Sequence, residues 1–476
     1  MTPVAQFAQP LRALARALLP LGLMGSLCAQ FAAPSGESAT DTELLRIGSE
    51  ALDREDPLQA WHAFREVVHK SPEAVEAWIG LGKTHLMLSR PLTSSAYALA
   101  ALAAADQRQD AMALVVRAQI RARKFEEAAA AAAAFVLRMT TPEAELLAAQ
   151  GSALFRVQRT DDAATVYRCV LNLDPENAEA HLRLGSGLTA PRFVLHDETV
   201  ERAVVELRAG QLDTGIQLLR SVLERDAENP VVHRLLGEAL FQRRMRSSMA
   251  SQDQAFRHLG VLLANGAVVD RDLAAQFMPA YAALPGDRRR VVDRSLSLFA
   301  TRLSKLLTLG ARHDLMLETE RTTDAASRAN LRGKRTFDGR VWDDVRGIGG
   351  LQAATGIEAL DEASQFGFDT LAHEIAHQVH YYVLSPRDRA RIRALYQAAK
   401  REGHCLDYYA ATNEAEYFGQ GVEAFASLAK RPGCETTHGH TRFELFRVDP
   451  ELHDFVASIV DRDPLRDAGQ IGRAHV

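Results

Sequence analysis

The chemistry in this chain is concentrated at His373-Glu374-Ile375-Ala376-His377. On a helix, side chains four positions apart leave the same face, so His373 and His377 can offer two imidazoles to one Zn²⁺. Glu374 stands beside that position, where a carboxylate can take a proton from water. The pattern H-E-x-x-H pairs two metal ligands with a general base, which is the apparatus of metal-assisted peptide hydrolysis. Two histidines do not complete such a site. A catalytic zinc usually has three protein ligands and one open position.

His380 is a poor third ligand. It lies two turns beyond His373, about 10.5 Å along a helix, whereas a zinc–nitrogen bond is about 2.1 Å. It is expected at the surface or behind the ligands. The longer spacing H-E-x-x-H-x-x-G-x-x-H also fails, because His380 stands where glycine is needed and Val383 where histidine is needed. A carboxylate farther along is better placed. The segment from Glu414 reads as a helix with Asn413 as its N-cap. Glu416 falls in the first turn and can complete a His₂Glu set, with Glu414 and Glu423 as competitors. Ser385-Pro386 to Gly403 predicts an intervening helix, with proline at its start and glycine at its end.

These two segments together resemble the catalytic domain of the anthrax lethal factor family, which includes the bacterial Pro-Pro endopeptidases. That family pairs H-E-x-x-H with a downstream Y-x₃-N-E-A-E-F-F-type segment. Here Tyr409 is followed by Asn413-Glu414-Ala415-Glu416-Tyr417-Phe418. The resemblance covers roughly residues 311–463 and implies an α+β zincin-like domain. It also implies one Zn²⁺ per chain on His373, His377 and Glu416, Glu374 as general base, and Tyr409 as hydrogen-bond donor to the oxyanion. Tyr408 is the alternative for that last role. The chain departs from the family after Phe418. Gly419-Gln420-Gly421-Val422-Glu423 replaces the usual continuation, so the carboxylate behind the ligands is either lost to Gln420 or moved to Glu423.

The elements that must position these groups are also legible. Phe368, Leu371, Ala372, Ile375, Ala376, Val379 and Val383 make an apolar stripe at helical spacing, which buries the H-E-x-x-H helix. Upstream, Leu315 and Leu317 predict one strand, and Val341, Val345 and Ile348 predict short strands broken by glycine. The run Gly347-Ile348-Gly349-Gly350 suits either close approach of an extended peptide to an edge strand or a turn. Arg346 and Glu358 read as exposed charges that could contact substrate.

The rest of the chain is helical and repetitive. Across residues 41–245, Gly48, Gly82, Gly151 and Gly185 are separated by 34, 69 and 34 residues, and Phe64, Tyr97 and Tyr167 recur at matching places. This period resembles the tetratricopeptide repeat, a solenoid of helix pairs. It implies a protein partner in a concave groove or a scaffold for the second domain. Residues 246–310 are expected to be a helical connector and 464–476 a tail.

Arg12 and Arg16 precede an apolar run from Ala17 to Cys28, so residues 1–29 are expected to be a secretory signal and the protein to be exported, to a periplasmic, extracellular or cell-surface location. Residues 30–40 would follow as a linker. No membrane span is expected beyond that segment. With 56 Lys+Arg against 61 Asp+Glu, the charge of −5 and the lack of a basic run argue against nucleic acid. A peptide or protein is the expected substrate. Of the 4 cysteines, Cys405 and Cys434 flank the Glu416 helix and are candidates for a disulfide. His404, His438 and His440 lie nearby; the His438–His440 pair is expected on a surface loop, with one of the two lining the cleft as the alternative.

Overall fold

The computed structural model describes residues 39–361, 369–427, 440–464 and 466. The signal, most of the linker, most of the tail, Phe368, Cys434 and His438 lie outside the described residues. Among the described residues, no helix is long and apolar enough to cross a membrane. The chain divides into two compact units, residues 1–175 and 176–476.

The first unit is built of consecutive helices: α1 (Asp41–Asp53), α2 (Pro57–Lys70), α3 (Val75–Met87), α4 (Pro91–Ala104), α5 (Gln109–Arg121), α6 (Phe125–Arg138), α7 (Ala144–Arg156) and α8 (Thr160–Leu173). The spaced aromatics are core residues. The Phe64 ring fits where Gly48 and Gly80 lack side chains, and a Cβ on either would come within 2.6 Å of it. Tyr167 packs on Gly151 in the same way. Inside each helix pair the chain reverses through a left-handed residue, at Glu55, Ser89, Arg123 and Gln158. None of these is glycine or asparagine, so sequence reading does not detect the turns.

The second unit opens with α9 (Ala178–Arg183), which runs into a π-turn at Leu184–Leu188. It continues through α10 (Glu198–Arg208), α11 (Leu212–Leu223), α12 (Pro230–Ser248), α13 (Ala250–Ala264), α14 (Arg271–Phe277), α15 (Gly286–Ser297) and α16 (Leu303–Thr308). Among the described residues three short strands follow: β1 (Arg312–Met316), β2 (Gly347–Ile348) and β3 (Gln352–Gly356). The sheet order is β1-β3-β2, with β1 parallel and β2 antiparallel to β3. The sheet is followed by α17 (Thr370–Tyr382), α18 (Pro386–Glu402), α19 (Glu414–Ala426), α20 (Arg442–Val448) and α21 (Pro450–Ile459).

Several expectations change here. The compact units part at residue 175, not at 245, because α9–α12 pack with the C-terminal elements. Residues 246–310 are more than a connector. Phe277, Val292, Leu296 and Leu303 share one buried cluster with Leu371, Ile375 and Val379 of α17. Leu315 lies in β1, but Leu317 follows its end. Val341 makes only an isolated bridge with Arg335, and Val345 lies outside the strands. Glycine and the aspartates Asp343 and Asp344, whose side chains bond elsewhere, shorten the ladder in this stretch.

Candidate metal centre

α17 carries His373, Glu374 and His377 through the middle of the unit. Asp369 caps its N-terminus by accepting from Ala372 N at 2.9 Å, and is itself held by Arg294 at 3.3 Å and Ser295 at 3.2 Å. Every residue from Leu371 to His380 is buried, so the helix is enclosed on all sides. Its polar groups therefore need partners. Gln378 and the strand residue His313 supply one set: His313 Nδ1 lies 3.1 Å from Gln378 Oε1, and its Nε2 lies 2.9 Å from Thr355 Oγ1 on β3. That contact sets the helix against the sheet.

α19 crosses the same face of α17. Asn413 caps it, accepting from the backbone N–H groups of Ala415 and Glu416 at 3.0 Å each. The cap places Glu416 in the first turn, toward the histidines. Glu416 Oε2 lies 3.0 Å from His373 Nε2 and 3.5 Å from His377 Nε2. Each of the three residues offers a ligand atom, and these atoms all lie within 4.8 Å of one another. Tetrahedral zinc with bonds of about 2.1 Å needs ligand atoms roughly 3.4 Å apart, so the spacing and donor set suit that ion. Gly419 makes the approach possible, since a Cβ there would be 3.0 Å from His373 Cε1.

Glu374 completes the group. Its Oε2 is buried and has no hydrogen-bond partner among the described residues. A carboxylate oxygen left unbonded in the interior is costly unless a water, cation or substrate meets it. The close approach anticipated at Gly347 is made by this side chain: a Cβ on Gly347 would stand 2.6 Å from Glu374 Oε1. β2 lies at an edge of the sheet directly beside the base.

The electrostatics are those of a shared buried site. Burial opposes the charge on Glu416, but His373 and His377 outweigh it and hold the carboxyl well below the usual range. Burial also opposes a charged His373, yet Glu416 and Glu423 raise its pKa. Burial raises Glu374, with His377 and His373 pulling the other way. Tyr409 is half-buried; burial and then Glu416 push its phenol well above the normal value, while Arg340 opposes them. The phenol thus shares the electrostatic environment of Glu416 and Glu374. Its backbone is fixed by Asp407, which accepts from Tyr409 N and Ala410 N at 2.9 Å each.

Of the carboxylate candidates, Glu414 turns away and pairs with Arg393 at 3.3 Å. Glu423 reaches the far nitrogen of His373 at 3.3 Å, while Gln420 faces Asp407 at 3.5 Å. His380 is not at the surface. It is buried among Tyr381 and Phe418, and burial pushes its pKa down to about 4. Arg346 and Glu358 are likewise not exposed. They form a two-pronged pair at 2.7 and 2.8 Å, with Arg234 of α12 also 3.3 Å from Glu358. His404 is exposed, and His440 is largely buried against Asp407 and Glu444. Cys405 is buried. Sequence reading missed the His313–Gln378 link, whose members sit far apart in the chain and carry no motif.

Comparison with known proteins bears on the N-terminal part. The tetratricopeptide repeat family matches at residues 45–111, 115–178 and 148–186. This region is therefore a helical solenoid of tetratricopeptide type. The chain is similar to a thermophilic TPR protein from Thermus thermophilus, with 16% identity and a TM-score of 0.31 over 42% of this chain and 100% of that one. It is also similar to PilW, a type IV pilus biogenesis factor, with 14% identity and a TM-score of 0.29 over 43% and 90%. A third similar structure is YrrB, a TPR protein with an unusual peptide-binding site, with 15% identity and a TM-score of 0.25 over 40% and 88%. No curated protein matches the chain.

Proposed function

We propose that this chain joins a protein-binding repeat scaffold to a zinc-dependent peptidase of zincin type. The observation that carries the enzymatic half is the convergence of His373, His377 and Glu416 within 4.8 Å, beside the buried Glu374 oxygen that has no partner among the described residues. Those three residues would hold one Zn²⁺. When bound, zinc supplies Lewis acidity, which polarises a peptide carbonyl and acidifies water. Glu374 takes the proton from the attacking water and passes it to the leaving amine. Tyr409 keeps its proton, because its pKa is raised, and donates a hydrogen bond to the oxygen that gains negative charge. The edge strand β2 is placed to pair with an extended peptide backbone. Export of the protein is part of the proposal and rests on the Arg12, Arg16 and Ala17–Cys28 pattern.

The test combines metal content with a peptide-library digest of wild type and Glu374→Gln. One zinc per chain in both proteins, with cleavage by wild type only, is the expected result. Purified wild type without stoichiometric zinc, or a Glu374→Gln variant that cuts as well as wild type, removes the enzymatic half.

A second reading is favoured by the family match at residues 45–186. Repeats of this kind commonly present a concave surface to a protein partner. The chain would then be a binding scaffold, and the C-terminal unit an inactive or structural relative of the peptidases. Zinc-loaded wild type that cleaves nothing across a broad library selects this reading.

A further inference from the structure

We propose that the hairpin Thr336–Arg340 is the substrate-facing wall of the metal centre, that Phe337 on it receives an aromatic or large aliphatic side chain of a peptide, and that Gly187 at the end of α9 sets its position. This inference rests on the peptide-hydrolysing reading of the site.

The hairpin is a defined structure. Thr336 N donates to Arg340 O at 2.7 Å, Arg340 N donates to Thr336 Oγ1 at 3.0 Å, and Arg340 Nε donates to Asp338 Oδ2 at 2.8 Å. Its tip lies over the proposed oxyanion donor: the Phe337 and Tyr409 rings are 5.6 Å apart, inclined at 34°. Arg340 and Asp338 of the hairpin and Glu416 and Glu374 of the metal centre all bear electrostatically on the Tyr409 phenol. Phe337 is nevertheless 54% exposed. A large ring fixed beside reacting groups and left open to solvent gains apolar burial only when something covers it. In a site that binds an extended peptide, that cover is the side chain next to the cleaved bond.

The base of the hairpin is held by the segment that follows α9. Val341 N donates to Gly187 O at 2.8 Å, in the π-turn that ends α9. Gly187 has φ +87°, and a Cβ there would come within 2.8 Å of Val341 O and 3.2 Å of Arg340 Cβ. Glycine alone meets both demands. Two residues earlier, Gly185 lets α9 abut α12, since its Cβ would fall 2.4 Å from Arg234 N. A chain of close contacts thus runs from α12 to the hairpin without touching a metal ligand.

The test uses full-length wild type, Phe337→Ala and Gly187→Ala. Zinc content is measured first, then cleavage of a positional peptide library, then anisotropy of labelled peptides bound to the metal-free proteins. Wild type is expected to prefer aromatic or large aliphatic residues at one position beside the cut. Both variants should lose about tenfold of that preference while holding the same zinc. Cleavage without such a preference, or an even loss across all peptides, overturns the proposal and leaves the peptidase reading standing. If wild type cuts nothing, but metal-free wild type binds an aromatic peptide about tenfold more tightly than its glycine counterpart and Phe337→Ala removes the difference, the wall stands and the peptidase reading falls. No cleavage and no such binding difference overturns both. Because Phe337 is exposed, its variant keeps the test decisive even if Gly187→Ala fails to fold.

Discussion

Glu423 Oε2 lies 3.3 Å from Nδ1 of His373, on the edge of the ring opposite the nitrogen that meets Glu416. A carboxylate behind a metal-ligating imidazole fixes its orientation and strengthens it as a donor. Burial pushes Glu423 up to about 7, with His373 opposing. Glu423→Ala should weaken zinc binding roughly 10- to 100-fold in competition with a chelator. Gln420→Ala, which touches Asp407 and so the Tyr409 turn, should lower turnover with zinc affinity unchanged. Equal zinc affinity in Glu423→Ala and wild type would contradict the orienting role.

Gly347 is tested by adding a side chain. A Cβ at this position meets Glu374 Oε1 at 2.6 Å and Thr370 Cγ2 at 2.8 Å. Gly347→Val should displace the base and reduce peptide turnover about 100-fold, because small errors in placing a reacting group are costly. Zinc content should stay at the wild-type level, since no metal ligand moves. Turnover within twofold of wild type would show that Glu374 is not held by this strand.

Asn413 links helix formation to the metal. Its side chain satisfies two free N–H groups of α19, one of them on Glu416 itself. Asn413→Ala should cost about 1 kcal/mol in denaturant unfolding and also weaken zinc retention. Asn413→Asp, which can cap in the same way, should restore both. Loss of stability without any change in zinc retention would separate the cap from the site.

Acid should loosen the α17–sheet junction. His313 is fully buried, and burial lowers its pKa to about 4, with Gln378 opposing. The folded protein therefore prefers neutral His313, whereas the unfolded chain takes up a proton near the ordinary value of about 6.5. The contribution is complete above pH ~6.5 and is lost as pH falls toward ~4, on the order of 3 kcal/mol in all. Glu358, brought down to about 2 chiefly by Arg346 against burial, adds a further loss between pH ~4.5 and ~2. Chelator-treated wild type should lose stability steeply below pH 6.5, and His313→Gln should flatten that slope. An unchanged slope would place the acid sensitivity elsewhere.

Local features of this centre are read directly from the chain. The four-residue spacing of His373 and His377, the Asn413 cap and the boundaries of α18 depend on helix geometry and on end groups that one segment supplies alone. The repeat period is local in the same sense, since each helix pair buries its face on the next.

Relations between segments were decided only by tertiary packing. Glu414, Glu416 and Glu423 share a helix and a chemistry. Which one meets the histidines, which stands behind them and which pairs with Arg393 follows from where α19 crosses α17. Arg346 and Glu358 look like surface charges until Arg234, more than a hundred residues earlier, is folded against them. Gly187 and Val341 reveal nothing of each other in sequence. Periodicity states which face of an element is apolar, but not which distant segment covers it, and at this centre that choice assigns each side chain its task.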